Sequence, residues 1–187
     1  MIDLGINAGN SGNNWIAYKP QTDMWEYSEG EIDLKVFVLD NESMKAGWGK
    51  IAQGVAPQWI WDKKMGLPDP NPGGTPEEQD EWQRGLSVEL YVVDELKEIN
   101  DVFTWATTGK GPIQGLDNIY QEIWKLKDDN PGLLPVLKYT GSEKTTWRSR
   151  IPQFEIVKWV ERPDGFVTEN EEEVSIPETK PDDDIPF

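Results

Sequence analysis

Basic and aromatic side chains occur together in residues 133–160 of this sequence. The stretch carries five Lys or Arg residues against two acids, with four aromatic residues among them. A cation pairs with an anion such as a phosphate, and an exposed ring face stacks on another flat ring. The best placed of these residues surround one polar segment between two strand-like stretches: Lys138, Tyr139, Lys144, Trp147, Arg148 and Arg150. We therefore expect a non-covalent binding site at the tip of a hairpin.

A second basic and aromatic cluster lies in residues 41–65, where four Lys oppose two acids. Gly47 and Gly49 flank Trp48, which predicts an exposed Trp in a flexible loop. Trp59 and Trp61 are two positions apart, so on a strand they share one face. The candidate binding residues of this cluster are Trp48, Lys50, Trp59, Trp61, Lys63 and Lys64.

The ten Trp residues must be divided between core and surface. Trp105 lies in an apolar strand-like stretch and Trp124 on the apolar stripe of a predicted helix, so we expect both to be buried. Trp147 stands between Thr146 and Arg148, and this polar setting predicts exposure. A third cluster near the start of the chain combines four aromatic residues with one Lys: Trp15, Tyr18, Lys19, Trp25 and Tyr27.

The sequence contains no His and no Cys. It therefore cannot build a Ser-His-Asp or Cys-His triad, a Cys-ligated zinc site or a disulfide. One loose catalytic pattern remains, Pro68-Asp69 followed by Glu95-Leu96-Lys97, which is typical of magnesium-dependent nucleases. The 35 acids make a chance match easy, and Asp69 lies in a proline-rich stretch where such a site needs a strand. We expect no enzymatic activity, no metal and no organic cofactor.

Alternation of apolar and polar residues predicts a mainly β body, of the α+β kind, with one helix. The strand-like stretches are residues 32–38, 51–61, 86–92, 101–108, 133–140 and 152–160. Residues 66–83 contain four prolines and a Gly-Gly pair, which predict a long surface loop before the third stretch. Residues 76–101 hold nine acids and two bases, so we expect an anionic ligand to avoid them.

One helix is predicted between the fourth and fifth strand-like stretches. Its apolar residues recur at helical spacing, and Pro131-Gly132 ends the pattern. The residues on this stripe are Leu116, Ile119, Tyr120, Ile123 and Trp124.

Composition changes after residue 160. All the Trp and Tyr residues lie before it, whereas residues 161–187 hold ten acids and two bases. Such a segment buries too little apolar surface to offset its ordering entropy. We therefore predict a domain in residues 1–160, a disordered acidic linker in residues 161–180 and a separate tip in residues 181–187.

The tip combines acidic residues with an apolar end and a carboxylate: Asp182, Asp183, Asp184, Ile185, Pro186 and Phe187. Burying Phe187 in a partner would contribute roughly 1.5–3 kcal/mol. A basic rim on that partner would pair with the aspartates and the carboxylate. The tip is therefore a candidate protein-interaction site, and the alternative is a tail that only increases solubility.

The six residues Asp182 to Phe187 resemble the C-terminal tip of bacterial single-stranded DNA-binding proteins. In that family the tip follows a disordered linker and docks replication, recombination and repair enzymes. The body is longer than that family's domain and carries an acidic insertion, and the linker lacks the family's usual Gly/Gln-rich composition. The chain therefore looks more like a phage-encoded version. The resemblance implies an OB-fold, a five-stranded barrel with a helix between the third and fourth strands. It also implies that the basic and aromatic clusters bind single-stranded DNA.

Two other classes of binding protein stay open at this point. An acidic, Trp-rich body could be a DNA mimic that blocks an enzyme, or a carbohydrate-binding module whose Trp faces stack on sugars. No apolar run approaches the length of a transmembrane helix, and residues 1–10 lack the pattern of a signal peptide. We therefore expect a cytoplasmic protein, in a bacterial host if it is phage-encoded, with no membrane partner and with homo-oligomers possible.

Overall fold

The computed structural model describes residues 14–166. Strands account for 50% of this part of the chain and helices for 16%, which confirms the mainly β prediction. The strands are β1 (Trp15–Lys19), β2 (Met24–Tyr27), β3 (Gly30–Ile32), β4 (Val36–Lys50), β5 (Gln58–Trp61), β6 (Gln83–Asp94), β7 (Ile99–Thr107), β8 (Leu134–Lys144) and β9 (Arg150–Val160). The helices are α1 (Pro76–Asp80) and α2 (Lys110–Leu126), and a short 3-10 turn, Lys127–Asp129, follows α2.

All the strands join one curled sheet that forms half of a barrel. Its order is β3-β2-β1-β7-β6-β4-β8-β9, and β5 pairs with the last residues of β4. Neighbours are antiparallel except β1 and β7, which are parallel. The described residues thus form nine strands, against the five that the resemblance implies and the six strand-like stretches of the sequence, and α2 lies between the seventh and the eighth.

Apolar and polar residues alternate along β6, which places the apolar ones on the inner face of the curled sheet. Val88, Leu90 and Val92 are buried there, together with Leu39 of β4 and Trp105 of β7. Burial of each such side chain contributes roughly 1.5–3 kcal/mol. Trp105 is buried, as its apolar stretch predicts.

The first three strands are absent from the prediction. Tyr18, Trp25 and Tyr27 are buried on the inner face, and the ring of Trp25 meets that of Trp105 edge-on at 4.9 Å between centroids. The third aromatic cluster is therefore mostly core. Its short strands, of three to five residues, are too brief for alternation to reveal them.

Helix α2 packs one face against β9. Leu116, Ile119 and Ile123 are buried, as the helical spacing predicts. Trp124, by contrast, is 57% exposed, so the expectation that it is a core residue is wrong. The buried stripe is narrower than the apolar pattern, because only the face of α2 toward β9 and the core is covered.

The proline-rich stretch forms the predicted surface loop between β5 and β6. It contains the short helix α1, which begins with a capping box: the Thr75 hydroxyl accepts from the N–H of Glu78, and the Glu78 carboxylate accepts from the N–H of Thr75. This reciprocal pair satisfies two otherwise unpaired helix donors. The loop is thus locally structured.

The body continues past the boundary that composition predicts. Arg162 donates to Asp40, whose side chain is buried, and to Glu42 at 2.8 Å. Phe166 is buried against Tyr91 and its neighbours. Residues 161–166 therefore pack on the sheet, although the linker was predicted to begin at Glu161.

The remainder of the predicted linker and the whole tip, residues 181–187, lie outside the described residues. Within residues 14–166, neither helix combines the length and the apolar character needed to cross a bilayer.

Candidate nucleic-acid interface

A groove of about 710 Å³ opens at one end of the curled sheet. Three structural units meet there: the paired ends of β4 and β6, the first turns of α2, and the tip of the β8–β9 hairpin. Its lining combines three Trp, two bases and one acid with smaller side chains: Trp48, Trp82, Gln83, Arg84, Leu86, Thr108, Lys110, Ile113, Gln114, Asp117 and Trp147.

The groove brings together the two clusters that the sequence singles out. Trp147 comes from the hairpin and is 56% exposed, which confirms the prediction from its polar neighbours. Trp48 comes from the second cluster, but it lies on β4 and not in a flexible loop. Its indole N–H donates to the backbone oxygen of Asp69 at 2.8 Å. Trp48 therefore lines one side of the groove, half-buried and held by this hydrogen bond. Trp147 is the more exposed of the two rings.

Arg84 holds Trp48 from the other side. It is the cross-strand partner of Trp48, and its guanidinium carbon lies 5.2 Å from the centroid of the indole. The same guanidinium donates two hydrogen bonds to Asp62, whose side chain is only 2% exposed. Hydrogen bonds from Arg84, partly opposed by burial, lower the pKa of Asp62 below its usual range.

The proline-rich loop supports this arrangement through its backbone. The N–H of Asp69 donates to Asp62 at 3.1 Å, and the carboxylate of Asp69 accepts from the N–H of Lys63 at 3.1 Å. Asp69 thus ties the loop to the strand ends while its carbonyl receives the Trp48 indole. We conclude that the loop helps to position one wall of the groove.

Two glycines bring α2 close to β9. A Cβ on Gly115 would lie 2.5 Å from the carbonyl oxygen of Pro152, and one on Gly111 would overlap the carbonyl oxygen of Arg150. Only Gly allows this approach, which sets Lys110 beside the hairpin tip. The positive end of the helix dipole lies at this end of α2.

A cluster around Asp23 holds the hairpin to the first strands. The hydroxyls of Tyr18 and Tyr139 donate to its carboxylate at 2.8 and 2.6 Å, and Arg150 lies 4.0 Å away. Burial opposes ionisation, but the hydroxyls of Tyr139, Ser142 and Tyr18 and the charge of Arg150 outweigh it and lower the pKa of Asp23. Burial and the bond to Asp23 raise the pKa of Tyr139.

Tyr139 was a candidate stacking residue, and the structure gives its ring another role. The ring packs against Trp25 and Phe154 at centroid distances of 5.8 and 5.9 Å. Arg150 is also turned inward, toward Asp23 and Ser142. Both residues therefore fix the hairpin and do not line the groove.

The tip of the hairpin is a closed turn. The N–H of Thr145 donates to the carbonyl of Ser149 at 3.0 Å, and Arg148 adopts a left-handed backbone with φ of 60°. Lys144 and Arg148 are exposed beside Trp147. Lys138 is exposed too, but it pairs with the start of β4, away from the tip. The turn thus presents one ring and two cations together.

Trp59 and Trp61 share one face, as predicted, but that face is not the one that carries Trp48. They pair with Gly49 and Gly47, the neighbours of Trp48 on β4, so their rings lie on the opposite side of the sheet. The rings stack at 4.8 Å with an angle of 9°.

The bases predicted around this Trp pair also lie apart from the groove. Lys50 forms an ion pair with Glu81, and Lys63 and Lys64 are exposed on the loop after β5. None of the three is among the residues that line the groove.

Trp82, Arg84 and Lys110 line the groove but were not predicted. Trp82 and Arg84 lie in the acidic residues 76–101, which an anionic ligand was expected to avoid. Strand β6 runs from Arg84 at the groove end to Asp94 at the other end, so the acids from Glu89 onward lie away from the groove. The other four acids of the stretch precede Trp82, in and beside α1: Glu77, Glu78, Asp80 and Glu81. The cross-strand pairing of Arg84 with Trp48 depends on register, which composition does not show.

The nuclease pattern is not assembled. Asp69 contacts Trp48 beside the start of β6, whereas Glu95 and Lys97 follow its end. The ten residue steps from Arg84 to Asp94 span about 34 Å, so one ion cannot bridge the two acids. Residues 14–166 also contain no group of three or more carboxylates that could hold a metal ion.

Comparison of the chain with protein-family models, curated proteins and solved structures yields no match.

Proposed function

We propose that the protein binds single-stranded DNA in the groove, without catalysis. The observation that carries this proposal is the convergence of Trp48, Trp82 and Trp147 with Arg84 and Lys110 around one open groove. Stacking of bases on such rings contributes about 1–3 kcal/mol per base and requires no particular sequence. Duplex DNA buries its base faces, so it would not gain this energy.

Charge supports the proposal locally, although the chain has a formal net charge of −17. Four cations stand in or beside the groove: Arg84, Lys110, Lys144 and Arg148. Asp62 pairs with Arg84 and Glu81 with Lys50, which leaves Asp117 in the lining and Glu143 beside Lys144 as the opposing acids. A modest positive patch on an acidic protein favours a strand whose rings stack, and disfavours ligands held by phosphate contacts alone.

The resemblance of the tip suggests the biological setting. In the proposal, the protein coats and protects single strands during DNA replication, recombination or repair, and its C-terminal tip recruits partner enzymes. The body would be an elaborated OB-fold whose β8–β9 hairpin acts as a binding loop. The curled sheet and the position of the groove at its end are compatible with that architecture.

Titration with oligothymidine tests the proposal. We expect wild-type protein to show quenching of Trp fluorescence at low salt, reversed by salt. Trp147→Ala should weaken binding about fivefold or more, since it removes one stacking surface. Trp147→Phe should retain most of the affinity, and thermal unfolding should show both variants folded because Trp147 is largely exposed.

Absence of oligothymidine binding by the wild-type protein would overturn the proposal. An acidic DNA mimic or another protein-binding module would then be the better assignment. Binding to oligosaccharides in the same assay would instead favour a carbohydrate-binding module.

A further inference from the structure

Helix α2 carries an aromatic pair that the fold does not use. Tyr120 and Trp124 lie one turn apart, with ring centroids 6.3 Å apart and an angle of 31°. Trp124 is 57% exposed, and Lys127 places its ammonium 3.4 Å from the centroid of the Trp124 ring. In the part of the chain that the structure describes, these ring contacts come from the helix itself and the turn after it.

The pair lies on the same stripe of α2 as residues of the groove. Ile113 and Asp117 line the groove, and the spacing from 113 through 117, 120 and 124 to 127 alternates four and three. Side chains at this spacing share one helix face. Trp124 is seven residues beyond Asp117, so it lies about 10 Å further along the axis. A ligand leaving the groove along α2 would meet the pair next.

The charges around Tyr120 and Trp124 favour base stacking over contacts with phosphates. Lys125 and Lys127 stand near Glu122, Asp128 and Asp129, all on the same helix end and the turn after it. With two bases against three acids, this end offers little net attraction to phosphates. Any gain must come from the rings. The Lys127 ammonium covers one face of the Trp124 ring, so a base stacks on the other face or displaces Lys127.

We propose that Tyr120 and Trp124 form a second stacking platform for single-stranded DNA that continues out of the groove along α2. The inference rests on the proposed function and adds a residue set to it. Short oligonucleotides would fill the groove alone, and longer ones would reach the platform. OB-fold proteins bind about 4–16 nucleotides per domain, which sets useful probe lengths.

The test compares the dissociation constants of (dT)4 and (dT)16 for full-length wild-type protein and three variants. Trp124→Ala should raise the dissociation constant of (dT)16 by about fivefold or more and leave that of (dT)4 unchanged. Trp147→Ala should weaken both oligonucleotides. Leu126→Ala, which truncates an exposed neighbour of the pair, is the matched control and should change neither.

The outcomes separate the two proposals. If the wild-type protein binds neither oligonucleotide, the proposed function fails and the platform fails with it. If the wild-type protein binds both and Trp124→Ala leaves (dT)16 binding unchanged, only the platform is overturned. Equal weakening of both lengths by Trp124→Ala would also overturn it, because the platform would then not lie beyond the groove.

Photocrosslinking of wild-type protein covers the case in which Trp124→Ala fails to fold. (dT)16 with a photoreactive thymine near one end should crosslink to the peptide that contains Tyr120 and Trp124. Crosslinks confined to peptides of the groove would contradict the platform. A protein partner that covers Trp124 while (dT)16 still binds with unchanged affinity would also contradict it.

Discussion

Arg84 contributes to the groove by holding two other residues. Its guanidinium lies over the ring of Trp48 and donates to the buried carboxylate of Asp62. Asp62 neutralises much of its charge, so Arg84 acts more through the position of Trp48 than through attraction of phosphate. A charged group that is fixed in this way is preorganised for binding.

Replacement of Arg84 should cost both stability and affinity. Arg84→Ala leaves the Asp62 carboxylate buried without its partner, and we expect a loss of about 1–3 kcal/mol of unfolding free energy. The double variant Arg84→Ala with Asp62→Ala should regain part of that stability, because no charge is left unpaired. It should not regain oligothymidine affinity, since Trp48 still lacks its support. Chemical denaturation and titration measure the two effects, and recovery of both would contradict the assigned role.

Asp23 should make the hairpin attachment sensitive to acid. Its pKa in the folded protein is lowered, so it contributes stability above its unfolded pKa of about 3.9, and this is lost as pH falls through the folded value. We expect Asp23→Asn to be less stable than the wild type at pH 7, with the difference shrinking below about pH 4.

Asn is a suitable replacement at this position, because Asp23 has a φ of 59° and Asn tolerates that backbone conformation. Unfolding of both proteins across pH 2–7 measures the difference. A constant difference over that range would show that the carboxylate charge is not what holds the hairpin.

At the scale of elements, the contact between α2 and β9 sets the width of the groove. Gly111→Ala should destabilise the protein, although Ala is favoured over Gly in a helix by about 1 kcal/mol. The added Cβ would overlap the backbone of Arg150 and push the helix away from the hairpin. Affinity for oligothymidine should fall with it.

Gln121→Ala on the exposed side of α2 is the control and should be neutral or slightly stabilising. Thermal unfolding compares the two variants. Stabilisation by Gly111→Ala would mean that the close helix packing is unnecessary.

The strands β6, β8 and β9 and helix α2 are predictable because each carries a long alternating or helical pattern. The prediction that Trp48 lies in a flexible loop is wrong, because glycines are typical of loops. In the fold, the glycines beside Trp48 leave room for the rings of other residues. A Cβ on Gly49 would lie 2.6 Å from the ring of Trp59. The role of a glycine here depends on a partner strand, which local sequence does not reveal.

The candidate site was only half predictable for the same reason. Trp147 is identified by its own polar neighbours, but Trp82 and Arg84 lie within an acidic stretch and acquire their role through register with β4. Composition predicts that Arg162 lies in the linker. It cannot show the contact of Arg162 with Asp40, which lies 122 residues earlier in the chain. Contacts of this range are set by the whole fold.

At the scale of the whole molecule, the excess of acids should limit binding. Residues 176–187 carry four acids and one base, and we expect this acidic segment to compete with DNA for the cations of the groove. We expect deletion of these residues to tighten oligothymidine binding, most clearly at low salt, and to abolish recruitment of partner enzymes. Equal affinity of the full-length and truncated proteins at low salt would count against this competition.

Salt dependence should report how many cations meet phosphates. If Lys110, Lys144 and Arg148 each neutralise one phosphate while Asp62 holds Arg84, the slope of log K against log salt is about −2, from about −0.7 per phosphate on single strands. Lys144→Gln should reduce its magnitude by about 0.7. A slope near zero in a protein that still binds would assign the affinity to stacking alone.

The most direct test of the account follows the indole N–H signals of the Trp residues by NMR during titration with (dT)4. We predict that the signals of Trp48, Trp82 and Trp147 shift, whereas those of the buried Trp25 and Trp105 stay in place. Saturable shifts of the three groove signals would locate the strand where the structure gathers rings and cations. Unchanged groove signals, or shifts only at Trp59 and Trp61, would contradict the central claim.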